Sequence, residues 1–261
     1  MIDLTIDTAA VKRSITDFIR EQLSQAGYTR GVINLSGGID SALACTLAAE
    51  ALGPENVLAI RLPYRASSPD SLAHAQLVID SLGVQSITYR ITPMVAPLFK
   101  AFPEMSQLRR GNILARARMI VLYDQSAAFH GLPIGTGNKT EILLGYTTIY
   151  GDAACAINPL GDLYKTQVRQ LARAVGVPEP IIQKPPSADL WDGQTDEGEL
   201  GFTYAEVDRL LFLLVERGAT LGECREAGFE EEFVQQVVGR IQRMHFKRAL
   251  PPVAVIPKGG G

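Results

Sequence analysis

Four short apolar runs, Val32 to Leu35, Val57 to Leu62, Ser86 to Ile91 and Leu132 to Gly135, are spaced so that each pair leaves room for a helix. That spacing predicts parallel strands, because parallel neighbours need a long crossover whereas antiparallel ones can be joined by a tight turn. The stretches between them carry helix signals. Thr8 to Gly27 repeats apolar residues at Val11, Ile15, Phe18, Ile19 and Leu23, with an N-cap at its start and a glycine stop. Small residues fill Ala42 to Ala49, Gly53-Pro54 breaks the chain, Ser68-Pro69 opens a helix reaching Gly83, and Ser106 to His130 reads as one long helix. The predicted fold is therefore α/β, a parallel sheet flanked by helices on both faces. Beyond Pro159 the pattern turns mostly helical, at Tyr164 to Val175, Tyr204 to Arg217 and Glu230 to Arg243.

Between the first strand and its helix lies Ser36-Gly37-Gly38-Ile39-Asp40-Ser41. In open parallel sheets ligands bind beyond the carboxyl ends of the strands, and the segments at Ser36, Leu62 and Thr136 all follow strands. Two glycines let backbone approach an anion, while serine hydroxyls and helix N-terminal amides donate to it. Asp40 is out of place beside phosphate unless a divalent cation lies between them, and Mg²⁺ is commonly held by one or two carboxylates plus phosphate oxygens. The turn predicts a Mg-nucleotide. It lacks the lysine of the GxxxxGK loop and the spacing of the GxGxxG fingerprint.

A second loop, Gly135-Thr-Gly-Asn-Lys-Thr-Glu141, repeats this logic. If both loops meet above the sheet, Asp40 and Glu141 would share a metal while Thr136 and Lys139 serve polar groups of the ligand. Helix capping accounts for the same residues, with Asn138 or Thr140 as N-cap and Glu141 as first-turn acid. Lys165 stands at the start of a helix, where the dipole favours acids. A bound phosphate would account for it. The polar, proline-containing segment from Lys184 to Leu200 has the length of a lid.

At 261 residues and 46% hydrophobic content, one domain spanning 1–261 is expected. A net charge of −3 gives no reason to expect nucleic acid as a partner, and no run of 18 apolar residues suggests a membrane span. Cys45, Cys155 and Cys224 lack metal or disulfide spacing and read as small buried residues. The N-terminus carries no basic-then-apolar leader, so a cytoplasmic location is expected. His74, His130 and His245 are scattered, and Lys258 to Gly261 reads as a frayed tail.

The SGGIDS string resembles the pyrophosphate loop of N-type ATP pyrophosphatases, which cleave ATP between its α- and β-phosphates. GTGNKTE, then Gly145-Tyr-Thr-Thr-Ile-Tyr-Gly-Asp152, Ile157-Asn-Pro-Leu-Gly-Asp-Leu-Tyr-Lys-Thr166 and Lys184-Pro-Pro-Ser-Ala-Asp-Leu190 together resemble NAD synthetase along nearly the whole chain. The resemblance implies an adenine nucleotide alpha hydrolase-like fold and an ATP-dependent amidation of deamido-NAD by ammonia. An adenylated intermediate would form, with AMP and pyrophosphate released. Residue by residue, it implies ATP contacts at Asn34, Leu35, Ser36, Gly37, Gly38, Ile39, Asp40, Ser41, Leu62, Thr136, Lys165 and Ser187. Asp40 and Glu141 would bind Mg²⁺, Asp40 and Lys165 would be catalytic, and Arg116, Asp152 and Lys247 would contact deamido-NAD. A homodimer is implied as well, and the length leaves no room for a glutaminase domain. Two positions depart from many members, which carry lysine where this chain has Ile149 and aspartate where it has Ala156. The alternatives are a nucleobase- or tRNA-modifying ATP pyrophosphatase and a non-catalytic nucleotide sensor. The first normally needs a basic RNA surface or paired redox cysteines, and the second has no need of Asp40, Glu141 and Lys165 together.

Overall fold

The structure, a computed structural model, describes residues 2–191 and 193–256. In chain order its regular elements are α1 Thr8–Gln25, β1 Gly31–Asn34, α2 Ile39–Leu52, β2 Val57–Arg61, α3 Pro69–Leu82, β3 Gln85–Thr88, α4 Thr92–Ala101 and α5 Gln107–Phe129. There follow β4 Leu132–Pro133, α6 Lys139–Leu144, α7 Lys165–Ala174, α8 Glu179–Gln183, α9 Asp196–Leu200, α10 Tyr204–Leu211, α11 Leu221–Glu226 and α12 Glu231–Arg243.

The four strands are parallel, in the order β3-β2-β1-β4. Strand residues alternate between two apolar layers, as the two-residue period of a strand requires. Ile33, Val57 and Ala59 pack with α1, α2 and α7, while Val32, Leu58 and Ile60 pack with α4 and α5. Both faces are covered, which is why the strand sequences read as continuous apolar runs rather than alternating ones. A third cluster, built from Leu144, Tyr164, Tyr204, Val207, Leu210, Leu211 and Val237, joins α6 to the C-terminal helices. Leu210 and Leu211 are fully buried there, each contributing about 2 kcal/mol of apolar transfer.

Several boundaries differ from the sequence reading. Asp7, not Thr8, caps α1, its carboxylate accepting from Ala9 N and Ala10 N at 3.1 and 3.0 Å. The third strand stops at Thr88, and Ile91 packs instead into the α4–α5 layer. The fourth strand is two residues long, continued by a single bridge between Ile134 and Ile157. Helix α4 has no clear signal in the sequence because Pro93 and Pro97 both lie in it; Pro93 sits in the first turn, where a missing N–H costs nothing. The helix expected from Tyr204 to Arg217 is regular only to Leu211 and then widens into a π turn at Phe212–Glu216. Cys45 and Cys224 are buried but Cys155 is only partly so. The tail at 258–261 lies outside the described residues.

The strand order places the site. Chain leaving β1 turns back toward β2 on one side, while β4 lies on the other, so the connections after β1 and β4 diverge and leave a crevice between them. Open α/β sheets bind ligands at such a point.

Candidate active site

A cavity of about 600 Å³ opens at that crevice. Its wall includes Asn34, Leu35, Ser36, Gly38, Ile39, Asp40, Ser41, Leu62, Thr136, Glu141, Asp152, Lys165, Ser187 and Lys247, so nearly all the residues singled out in the sequence converge on one space. The first loop is tied by its own hydroxyls. Ser41 Oγ donates to Gly38 O and accepts from Ser36 N, at 3.0 and 3.2 Å, and Ser36 Oγ accepts from Gly38 N at 3.3 Å. Gly38 is the N-cap of α2 and offers no side chain to its first turn, leaving an N-terminus suited to an anion. Gly37 does not line the cavity. It sits at φ +81°, where a Cβ would come 2.1 Å from Ser71 O, so the loop can pass α3 only with glycine here.

Lys165 is the centre of the site. Its ammonium donates to Asp40 Oδ2 at 2.6 Å and to Glu141 Oε1 at 3.3 Å, and lies 5.1 Å from the centre of the Tyr204 ring. Asn138 joins the same two acids, donating from Nδ2 to Asp40 Oδ1 at 2.9 Å and from its backbone to Glu141 Oε2 at 3.2 Å. Both readings of Glu141 therefore hold in part. It closes a capping box with Asn138 at the start of α6 and turns its other oxygen toward Lys165. Burial disfavours the Lys165 charge, but Asp40, Glu141 and Asp196 more than offset it and hold the ammonium above the ordinary lysine value. Burial, reinforced by Asp40 and Asp196 against the pull of Lys165, pushes Glu141 up to about 8. The cation at the start of α7 is thus faced by three acids of the protein, which accounts for its position without a phosphate.

Lys139 points elsewhere. It pairs with Asp162 at 2.7 Å and with Glu216, so the expectation that it serves a ligand is corrected. Arg116 is exposed, its nearest partner being Asn112 O at 3.5 Å, and it is not part of the cavity wall. Arg118 is: its Nε donates to Leu62 O at 3.2 Å, and burial draws its guanidinium below the usual arginine range against the pull of Asp189 and Asp152. The helix phase distinguishes the two. Gly111, Ala115, Arg118 and Leu122 share one face of α5, a spacing readable in the sequence, and Arg116 falls off it. Ile149 and Ala156, the two departures, are not in the wall either.

Sequence reasoning missed Tyr146, Tyr204 and Asp196. Tyr204 and Tyr146 donate to the two oxygens of Asp196 at 3.0 and 3.3 Å, and Tyr146 also meets Glu199 at 2.9 Å. Tyr146 belongs to the Gly145–Asp152 segment and Tyr204 opens a predicted helix, but neither carries a local signal of its role, and Asp196 lies within the polar 184–200 segment. The described residues of that segment contribute Lys184 to Trp191, Gln194, Asp196 and Glu199 to the cavity wall. Asp189 accepts from Ser68 N at 3.1 Å, Lys184 donates to Ser71 Oγ at 2.8 Å, and Ser187 Oγ accepts from Asp189 N at 3.0 Å.

The far end of α6 is held by cations from the C-terminal region. Arg248 donates to Leu143 O at 2.6 Å, Arg240 to Leu144 O at 2.9 Å, and Lys247 to Gly145 O and Thr147 O at 2.7 and 2.6 Å. Carbonyls at a helix C-terminus need such donors.

The NAD synthase family model matches residues 11–251. The NH(3)-dependent NAD(+) synthetase of Trichlorobacter lovleyi is 56% identical over 256 residues, covering 98% of this chain and 94% of that protein. Among solved structures, the NMN synthetase of Francisella tularensis superposes with a TM-score of 0.84 at 32% identity, covering 98% of this chain and all of that one. The NH3-dependent NAD synthetase of Campylobacter jejuni, solved with a nitrate ion, gives 0.82 at 32% identity, covering 96% and 100%. With the loops, the sheet order and the near full-length matches in agreement, the chain belongs to the NAD synthase family.

Proposed function

We propose that this chain amidates deamido-NAD with ammonia in an ATP-dependent reaction that passes through an adenylated intermediate and releases AMP and pyrophosphate. The observation that carries the reading is the meeting, in one cavity, of an open helix N-terminus, a buried lysine and two carboxylates. An oxygen of the nicotinate carboxylate attacks the α-phosphorus of ATP, and the bond to the oxygen shared with the β-phosphate breaks, its electron pair leaving on pyrophosphate. Ammonia then adds to the acyl carbon, AMP departs and the new amide nitrogen loses a proton. The nucleophiles come from the substrates, so the protein has only to position groups and stabilise charge.

The Ser36–Ser41 loop and the start of α2 receive the departing phosphates, and Lys165 meets the charge that grows on the α-phosphate oxygens. Leu62, Thr136 and Ser187 line the ATP side. Arg118 rather than Arg116 serves the deamido-NAD side with Asp152 and Lys247. Asp40 and Glu141 supply the hard oxygen donors that Mg²⁺ prefers, two carboxylates brought together on the cavity wall by Asn138 and Lys165. When bound, the ion would screen the phosphates and draw charge from the leaving group.

The chain acts as one domain over 1–261, taking free ammonia, in the cytoplasm. It works as a homodimer, and Leu98, Phe102, Ile120 and Tyr123 leave apolar side chains exposed for an interface. Among the described residues no helix is long and apolar enough to cross a membrane.

The test is incubation with ATP, Mg²⁺, an ammonium salt and either deamido-NAD or nicotinate mononucleotide, with NAD, NMN, AMP and pyrophosphate quantified. NAD formed in step with AMP only when deamido-NAD is present is the expected result. Release of ADP, or AMP formed without an acceptor, refutes it, and preference for the mononucleotide would move the substrate while keeping the chemistry.

A further inference from the structure

We propose that Asp208 is a positioning residue for this site, acting through Thr140 and Thr166 to set Lys165 against Glu141 and Asp40; its kinetic readout rests on the amidation reading above. Asp208 is on α10, fully buried, and takes no part in the cavity wall. One oxygen accepts from Thr140 Oγ1 at 2.6 Å and the other from Thr166 N at 2.8 Å. Thr140 Oγ1 in turn accepts from Lys165 N at 3.0 Å. One carboxylate thus fastens the first turns of α6 and α7 together at the residues adjoining Glu141 and Lys165.

The neighbours of Asp208 show how specific this arrangement is. Val207, Leu210 and Leu211 on the same helix are fully buried and apolar, and a buried carboxylate is costly unless its lone pairs are used. Tyr164, the N-cap of α7, gives its first turn no side-chain cap, so the N–H of Thr166 obtains its acceptor from another helix. The same negative charge offsets the dipole that opposes a lysine at this end of α7. Glu141 and Lys165 are separated by 24 residues and share no strand or helix; beside the backbone bond from Lys139 N to Leu163 O at 2.8 Å, the Asp208–Thr140 pair is the side-chain link that gives them a common frame.

The test uses the full chain and three substitutions. Asp208→Asn preserves shape and one acceptor, Thr140→Val removes the hydroxyl, and Thr140→Ser keeps it. A displacement of about 1 Å costs on the order of 100-fold in rate. We expect kcat for NAD formation to fall by about that factor in Asp208→Asn and Thr140→Val, with KM for ATP and deamido-NAD within about threefold of wild type and Thr140→Ser within about twofold. Loss confined to KM, a Thr140→Ser variant as slow as Thr140→Val, or a kcat loss no larger than the unfolded fraction in a melt under assay conditions overturns the proposal. If Thr140→Val melts below the assay temperature, Asp208→Asn carries the test. A crystal structure of Asp208→Asn separates the two readings, because Lys165 displaced from Glu141 or Asp40 supports positioning even where the wild type makes no NAD. Lys165 found unmoved there overturns it.

Discussion

Replacing Glu141 by glutamine changes how stability depends on pH, by an amount the site itself supplies. Glutamine keeps the volume and can still cap α6, so what is removed is the titration. The carboxyl rises from the ordinary 4.5 to about 8 in the folded protein, with burial the largest cause. Between those two values the native state holds a proton that the unfolded chain has released. Wild-type stability therefore falls as pH rises through that window, fully favourable below 4.5 and flat above 8. At about 1.4 kcal/mol per pH unit the full excursion is on the order of 5 kcal/mol, and the coupling of Glu141 to the Lys165 charge beside it reduces the expected change to a few kcal/mol. Urea unfolding of wild type and Glu141→Gln at half-unit steps from pH 5 to 8.5, without nucleotide or metal, measures the difference directly. The stability of the variant relative to wild type should climb across the range. Two curves parallel within about 0.5 kcal/mol would refute both the raised value and its assignment to this residue.

Three further outcomes are expected. Asp40→Asn should fold normally, as judged by circular dichroism and melting, yet lose at least about 100-fold in Mg-dependent NAD formation; wild-type rates would remove Asp40 from the chemistry. Gly37→Ala must relieve both a positive φ and a Cβ placed only 2.1 Å from Ser71 O, so the loop shifts and calorimetric titration should show ATP binding weakened by about tenfold or more, whereas unchanged affinity contradicts the close approach. Cleavage within 184–200 by a nonspecific protease should slow when ATP and deamido-NAD are added together, and equal rates would deny that segment a closing role.

The parts of this site readable in the sequence are those whose partners lie close along the chain. The Ser36–Ser41 turn is held by its own hydroxyls, and the Asn138–Glu141 box by residues three apart, so residue types and spacing suffice. Lys165 and Asp40 stand 125 residues apart, and nothing local couples them. Lys139 shows the opposite failure. A lysine in a phosphate-like loop invites a ligand, but the π turn after α10 brings Glu216 to it and Asp162 completes the pair, neither foreseeable from the loop. The strand order was beyond the sequence too, since alternation fixes parallel pairing without saying that β4 inserts beside β1. Arg118 was within reach, because counting along α5 from Gly111 separates it from Arg116.

The cations that close the end of α6 also bear on when the enzyme comes to exist during its own synthesis. Six residues make a helix too short to persist unaided, and its last carbonyls are satisfied by Arg240, Lys247 and Arg248. A ribosome emitting the chain from its N-terminus would release the sheet and the phosphate loop long before those side chains. The unfinished polypeptide could then hold nucleotide without the geometry to spend it. Chains halted before residue 240 should accordingly bind ATP but form no AMP, and AMP production by such a fragment would show that α6 sets itself.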